Sequence, residues 1–241
     1  MKTSTILFLI LFVSNTILSQ SNYTFSYTKD FKKFLDLSRE EGNNFNYSTL
    51  LNRYLQNDST LTHGEIIAML IGYTESENYK PYKQMTVERN IYHLNAEGEY
   101  KAAIQLSDSL LEKYPFSLLG NREKSYANYK LNNARDQKIY FDRFMQIADA
   151  ILWTGDGRSY KSSFFVLGPA DGQTIIKYVL YNEIVGMGSG ASTEDYFHDI
   201  LDMKDEEGDT ITLYFNIDHA MKKSTFYQQL LEVKEKQKEK E

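Results

Sequence analysis

The residues of this chain whose types are best suited to bind a partner are one arginine and four tyrosines that follow it in the sequence. They are Arg53, Tyr54, Tyr73, Tyr79 and Tyr82. Tyrosine and arginine are enriched at the centres of protein interfaces, because each combines a large apolar area with hydrogen-bonding groups. We therefore expect these residues to line a concave binding face. The alternative is that the tyrosines only stabilise contacts between helices, while Asp58 pairs with Arg53.

The histidines could ligate a metal only if folding brought them together. The sequence contains His63, His93, His198 and His219, and none stands in a spacing such as H-E-x-x-H. His198 with Asp199, and Asp218 with His219, fall on or just after two predicted strands, whose ends could join them into a cluster of two histidines and a carboxylate. Because no spacing supports that cluster, we expect two surface histidines and no metal site.

Motifs for catalysis or cofactor binding are not found in the sequence. No serine stands in a G-x-S-x-G elbow. Gly186, Gly188 and Gly190 are too closely spaced for a dinucleotide-binding fingerprint, and they predict a flexible loop. The acidic run at residues 202–209 lacks the alternating ligands of a calcium loop, so it favours a solvated hairpin turn. We predict no catalytic residue and no cofactor.

Helical hairpins are the elements that must position the arginine and the tyrosines. Apolar residues recur at three- and four-residue spacing from Tyr47 to Leu55, which predicts a helix, and the polar residues 57–60 end it. Thr62 and Glu65 then have the spacing of a capping box. A second, antiparallel helix should therefore follow and end near Tyr73.

More helices are predicted between residues 98 and 152. Gly98, Tyr100 and Ala103, followed by leucines and then Pro115, resemble the second helix of a tetratricopeptide repeat. A further helical pair at residues 117–130 and 134–152 lacks most of the signature positions of that repeat. The region is therefore either a short tetratricopeptide-like array or an irregular helical bundle, and both remain open.

Beyond Gly155-Asp156-Gly157 the pattern changes to that of a small α+β module. Residues 163–167 predict a short strand, and residues 171–182 predict a helix. Two β-prone runs, 196–203 and 210–217, are joined by an acidic turn and predict a β-hairpin. The predicted fold class is α+β, in which N-terminal helical hairpins precede this module.

The first nineteen residues have the pattern of a secretory signal peptide. Lys2 provides the positive charge, residues 6–13 are apolar, and the small residue Ser19 precedes the expected cleavage site. The apolar run is too short to span a membrane, and no later stretch approaches that length. The chain has no cysteine, which excludes both disulfides and the lipid-modified cysteine of a lipoprotein. We expect a soluble protein exported to the periplasm or the medium.

The predicted organisation has four parts. They are a signal peptide at 1–19, a helical tetratricopeptide-like domain at 20–154, an α+β module at 155–227 and a charged tail at 228–241. The net charge of the whole chain is −6, and removal of the leader with Lys2 makes it more negative. An acidic protein is poorly suited to neutralise phosphates, so we expect no nucleic-acid partner.

Several blocks of the chain, taken in order, resemble those of one known family. The longest is YSTLLNRYLQNDSTLT at residues 47–62, and Tyr79-x-Pro81-Tyr82 and Gly155-Asp156-Gly157 follow it. With these blocks the chain resembles a family of exported Bacteroidetes proteins catalogued as domain of unknown function 4919. The resemblance covers about residues 45–218 and is weakest at 170–195. It implies bacterial origin and export, and it brings no activity, substrate or catalytic residue.

Together these features predict a non-catalytic module that binds a protein or peptide partner in the bacterial cell envelope. The alternative is an envelope enzyme, or a small-ligand-binding protein, that uses a cleft between the helical and the α+β parts. A deep pocket with convergent titratable groups would favour the alternative. An exposed, concave aromatic patch would favour the interaction module.

Overall fold

The computed structural model describes residues 25–192, 196–225 and 227. The predicted signal peptide and the predicted charged tail both lie outside the described residues. In the described part of the chain, helices predominate up to residue 153 and a small sheet follows. The predicted α+β class is therefore confirmed.

Seven helices form the first part of the fold. They are α1 Tyr27–Arg39, α2 Tyr47–Leu55, α3 His63–Tyr73, α4 Pro81–Ala96, α5 Tyr100–Lys113, α6 Leu118–Lys130 and α7 Ala134–Trp153. The capping box at the start of α3 is present, because the backbone N–H of Thr62 donates to Glu65 Oε2 at 2.8 Å and the Thr62 hydroxyl accepts from the N–H of Glu65 at 3.3 Å. These bonds satisfy helix N–H groups that have no partner within the helix.

The centre of the helical part is α3. Its residues from Ile66 to Ile71 are all buried, and it packs against α1, α2 and α7. Helices α4 to α7 pack one after the other, each against the next along the chain. A helical segment that is apolar on all faces, as residues 66–71 of α3 are, is stable only when neighbours cover it on every side, so α3 serves as the axis of this part of the core.

The sheet has the strand order β1-β4-β3-β2. β1, Phe164–Phe165, is parallel to β4, Thr210–Asn216, whereas β3, Phe197–Lys204, is antiparallel to both β4 and β2, Ile184–Ala191. The predicted β3–β4 hairpin is confirmed.

The prediction of a loop at Gly186, Gly188 and Gly190 was wrong, because these residues lie within β2. Glycine has a low intrinsic preference for strands, and here the backbone pairing with β3 overrides that preference. Packing also favours glycine at position 186, because a Cβ added there would lie 2.6 Å from Asp202 Oδ2 on β3. The strand could not be deduced from local composition.

Two helices flank the sheet, α8 at Pro169–Tyr178 and α9 at Asp218–Met221. The end of α8 falls earlier than predicted, and Tyr181 after it has a left-handed backbone with φ 53°. One hydrophobic cluster includes buried residues of the helices and of the sheet, among them Met69, Phe165 and Phe215. No helix within the described residues is long and apolar enough to cross a membrane.

Candidate functional site

Three of the five residues predicted to form a binding face are buried. The hydroxyl of Tyr54 donates to the carbonyl of Pro115 at 3.3 Å, that of Tyr73 to Lys113 at 2.8 Å and that of Tyr79 to Leu167 at 2.5 Å. Each bond joins segments that are distant in sequence, and burial raises the pKa of all three phenols. In this position the three tyrosines stabilise contacts between elements.

The other two predicted residues, Arg53 and Tyr82, reach solvent. The guanidinium of Arg53 contacts Asp58 at 2.8 Å, as the alternative interpretation predicts, and Glu65 at 2.5 Å. Hydrogen bonds from Thr60 and Arg53 lower the pKa of Asp58 to about 2. Tyr82 is 38% exposed, on α4. The binding role of the five residues stays a prediction.

The prediction of two surface histidines was wrong, because His198 and His219 are both buried. No group of three or more potential ligands capable of holding a metal occurs among the residues that the structure describes. Burial lowers the pKa of His198, and it lowers that of His219 to about 3. Both imidazoles are therefore neutral at physiological pH.

His219 is enclosed by aromatic rings. Those of Tyr27, Phe31, Tyr79 and Phe165 lie 4.9–6.2 Å from its centroid, with interplanar angles of 22–29°. The preceding Asp218 accepts from the Tyr27 hydroxyl at 3.4 Å and pairs with Lys222 at 2.6 Å. These contacts attach α1 to the end of β4, so they fix one wall of the cleft described next.

A cavity of about 280 Å³ opens between the start of α1 and the sheet. It is called here the α1–sheet cleft. Its lining residues all carry polar side-chain atoms and are Ser26, Tyr27, Thr28, Lys29, Tyr160, Lys161, Ser192, Tyr196, His198 and Asn216. The helical part supplies the first four, and the α+β part supplies the rest. This is the position that the alternative hypothesis assigns to a ligand site.

His198 is the most buried titratable group of the cleft, and its tautomer follows from its partners. Its Nδ1 lies 2.8 Å from the carbonyl oxygen of Tyr196, which can only accept a hydrogen bond, so Nδ1 carries the proton. Nε2 is then an acceptor, and the Ser163 hydroxyl lies 3.2 Å and Asn216 Nδ2 3.4 Å from it. The ring of Tyr160 packs against the imidazole in an edge-to-face arrangement, with 5.0 Å between the ring centroids.

The mouth of the cleft is positively charged. Lys29 and Lys161 are exposed there, and none of the lining residues in the described part of the chain is acidic. The N-terminus of α1 adds the positive end of the helix dipole, although Asp30, which accepts the N–H of Ser26 at 2.7 Å, offsets part of that charge. The electrostatics favour a ligand with an anionic group.

A second polar group lies between α4, α8 and β3 and consists of the buried carboxylates of Glu88 and Asp171 and the half-buried carboxylate of Asp199. Burial, and then the nearby Glu88, raise the pKa of Asp171 to about 8. Burial also raises the pKa of Glu88, and it raises that of Asp199 to about 7. Asp171 accepts the N–H of Gly168 at 2.9 Å and so caps α8. We assign this group a structural role.

Sequence reasoning missed most of the cleft. His198 was considered as a metal ligand or a surface histidine, and neither Tyr160 nor Asn216 stands in a catalytic or ligand-binding motif. The nearest sequence signal is Gly155-Asp156-Gly157, because the N–H of Tyr214 donates to the Gly157 carbonyl at 2.8 Å and so ties this segment to β4.

Comparison with known proteins gives one match. A family model described as Domain of unknown function (DUF4919) matches residues 36–225. That span contains the sheet side of the cleft, whereas Ser26 to Lys29 precede it. No curated protein and no solved structure matches the chain.

Proposed function

We propose that this chain, which belongs to the DUF4919 family, is an exported, non-catalytic binding protein. Its ligand is a small polar molecule with an anionic group, a carboxylate or a phosphate, held in the α1–sheet cleft. The observation that carries the proposal is the cleft itself, in which polar side chains from both parts of the fold converge around a buried, neutral histidine.

The size of the cleft limits the ligand. Ligand cavities in proteins usually measure roughly 300–1,000 Å³, and the volume here, about 280 Å³, is at the small end. A molecule of the size of an amino acid or a monosaccharide fits this space. The tyrosine rings offer apolar faces to such a ligand, and the hydroxyl, amide and ammonium groups offer hydrogen bonds.

The geometry supports binding more than catalysis. A carbonyl oxygen, not a carboxylate, accepts the hydrogen bond of His198 Nδ1, so His198 lacks the hydrogen-bonded carboxylate that stabilises the imidazolium in a catalytic triad. Ser163, which lies against His198, is itself buried and is not among the residues that line the cleft. A nucleophile in that position is not presented to a ligand.

An acyl-transfer enzyme is the second candidate, and the 3.2 Å contact of the Ser163 hydroxyl with His198 Nε2 favours it. In that reaction Ser163 Oγ would attack an acyl carbonyl while its proton passes to Nε2, and the bond from the acyl carbon to the leaving group would then break as Nε2 returns the proton to that group. Labelling with a fluorophosphonate probe that is lost in the Ser163→Ala variant would establish this function. We expect no labelling.

The cellular setting is part of the proposal. The leader pattern at residues 1–19 and the lack of cysteine support export to the periplasm or the medium without lipidation. The family resemblance supports a bacterial, Bacteroidetes envelope, and the consecutive packing of α4 to α7 supports a tetratricopeptide-like array. After expression of the full chain in a bacterium, N-terminal sequencing of the exported product should begin at Gln20.

Calorimetric titration of the chain from residue 20 tests the ligand class. The probes are galacturonate for the carboxylate, glucose 6-phosphate for the phosphate and glucose as the neutral reference. We expect at least one anionic probe to bind more tightly than glucose, because Lys29 and Lys161 attract it. The double variant Lys29→Ala/Lys161→Ala should weaken that binding roughly tenfold.

The matched control is Lys32→Ala/Lys138→Ala, which removes two exposed lysines that pair with acids on their own helices. It should bind the probes as the unmodified chain does. The proposal fails if no probe binds at millimolar concentration, if glucose binds as tightly as the anions, or if the control loses as much affinity as the cleft variant.

A further inference from the structure

The outer edge of β2 is a second place where the fold can bind a partner, independent of the cleft. β2 is the last strand in the order β1-β4-β3-β2, and within the described residues it pairs only with β3. Its outward-pointing N–H and C=O groups are therefore available to a further strand.

Natural proteins usually protect such an edge, and β2 has little protection. The usual means are a short strand, a lysine or other charge, a proline, or a bulge. At the opposite edge, β1 has two residues. β2 has eight, IVGMGSGA, with no charge and no proline, and its one irregularity lies at its start, between Ile184 and Gly186.

Large apolar side chains are exposed beside this edge. Leu180 is 36% exposed, Tyr181 86%, Val185 53% and Met187 69%. Met187 lies opposite Leu201 of β3, and Val185 is the unpaired residue of the irregularity between Ile184 and Gly186. Exposed apolar residues concentrated along one segment mark an interaction surface more than scattered single ones do.

The backbone of Tyr181 adds a second observation. Its φ of 53° is left-handed, a conformation that is normally left to glycine, and its ring is almost fully exposed. The hydrogen bond from the N–H of Asn182 to the carbonyl of Ile176, at 3.0 Å, holds this turn. A bulky residue kept in a strained conformation, with its ring in solvent, is an outlier that points to a function.

The charges near the edge indicate which partner fits. Glu183 is exposed directly before β2, and Asp202 on β3 lies beside Gly186. Lys204, at the end of β3, turns its ammonium away from β2 to Thr210 Oγ1 of β4, at 3.0 Å. A second copy of this acidic chain would bring like charges together, whereas a peptide with basic residues would neutralise them.

We propose that the outer edge of β2 binds an extended peptide segment as an additional strand. The segment has apolar residues at alternate positions, one of which packs on Met187, and lysine or arginine next to them, which pairs with Glu183 and Asp202. Main-chain hydrogen bonds provide the affinity in this mode of recognition, and the alternating side chains provide the specificity.

Selection from a displayed library of random dodecapeptides tests the proposal. The target is the chain from residue 20, with the Met187→Lys variant used for counter-selection, because a lysine is the usual protection of an edge. We expect enriched sequences that alternate apolar and polar residues and contain basic residues. A synthetic peptide of that sequence should lose at least roughly tenfold in affinity on Met187→Lys.

Two controls separate strand addition from general apolar contact. Phe141→Lys changes another exposed apolar residue, on α7, and should leave peptide binding unchanged. N-methylation of alternate amides of the peptide should abolish binding, because a methylated nitrogen cannot donate to the strand edge.

Four results would overturn the proposal. They are a selection without enrichment, enriched sequences without alternation, binding that survives Met187→Lys, and binding that survives N-methylation. Light scattering tests the other possible occupant of the edge, a second copy of this chain. A dimer that dissociates on Met187→Lys would show that a second copy uses this edge. The Lys29→Ala/Lys161→Ala variant should bind the peptide normally, so failure of the cleft and failure of the edge are distinguishable.

Discussion

Replacement of Asp171 by asparagine should stabilise the protein at neutral pH, by an amount that increases with pH. Burial and the nearby Glu88 raise the pKa of Asp171 from 3.8 to about 8, so the folded protein keeps this carboxyl protonated over a range where the unfolded chain ionises it. The folded state then binds one proton more than the unfolded state, and stability falls as pH rises.

The magnitude follows from the size of that range. Each pH unit between the two pKa values costs about 1.4 kcal/mol of unfolding free energy. Asparagine resembles the protonated acid and can still accept the N–H of Gly168, so Asp171→Asn removes the cost. The stability of the variant relative to the unmodified chain should therefore increase by roughly 3 kcal/mol between about pH 5 and about pH 7.

Urea denaturation of both proteins across this pH range is the assay. The buried His219 has a lowered pKa and makes the unmodified chain less stable as the pH falls below about 6.5. The comparison of variant with parent cancels that effect, and the exposed Asp149→Asn serves as the control. A difference that stays constant with pH, or that decreases as pH rises, would refute this account of Asp171.

Three further changes have defined outcomes. Gly155→Ala should destabilise the chain by more than about 2 kcal/mol, seen as a lower melting temperature, because its Cβ would lie 2.1 Å from the Ser162 carbonyl oxygen. Thr62→Ala should lower the urea midpoint by a stability loss of about 1 kcal/mol, since it removes the capping box of α3. Tyr181→Gly should raise the melting temperature slightly, by up to about 1 kcal/mol of stability, because glycine accepts the left-handed backbone. An unchanged melting temperature for Gly155→Ala, an unchanged urea midpoint for Thr62→Ala, or a lower melting temperature for Tyr181→Gly would contradict the corresponding reasoning.

The parts of the fold that were predictable from sequence rest on local interactions. The α2–α3 hairpin follows from apolar spacing, and the capping box from Thr62 and Glu65, because all the contacting groups lie within a few residues. The salt bridge between Arg53 and Asp58 was foreseen as an alternative for the same reason. Residues close in sequence leave few possible arrangements.

The parts that were missed depend on contacts between distant segments. β2 is a strand because β3 pairs with it, although three of its residues are glycines at Gly186, Gly188 and Gly190. His219 is buried by Tyr27 and Phe165, which no local pattern relates to it. The cleft forms only when α1 packs beside the sheet, so its residues are recognisable only in the folded chain.

The most direct test of the central claim is an NMR titration of the histidine side chains with the anionic probe that binds most tightly. His198 lines the α1–sheet cleft, whereas His93 is exposed on α4. An anion bound in the cleft favours the protonated imidazole, so the His198 signals should shift saturably and the pKa of His198 should rise. The signals of His93 should stay unchanged. Unaltered His198 signals at saturation, or a shift confined to His93, would contradict the assignment of the ligand site to this cleft.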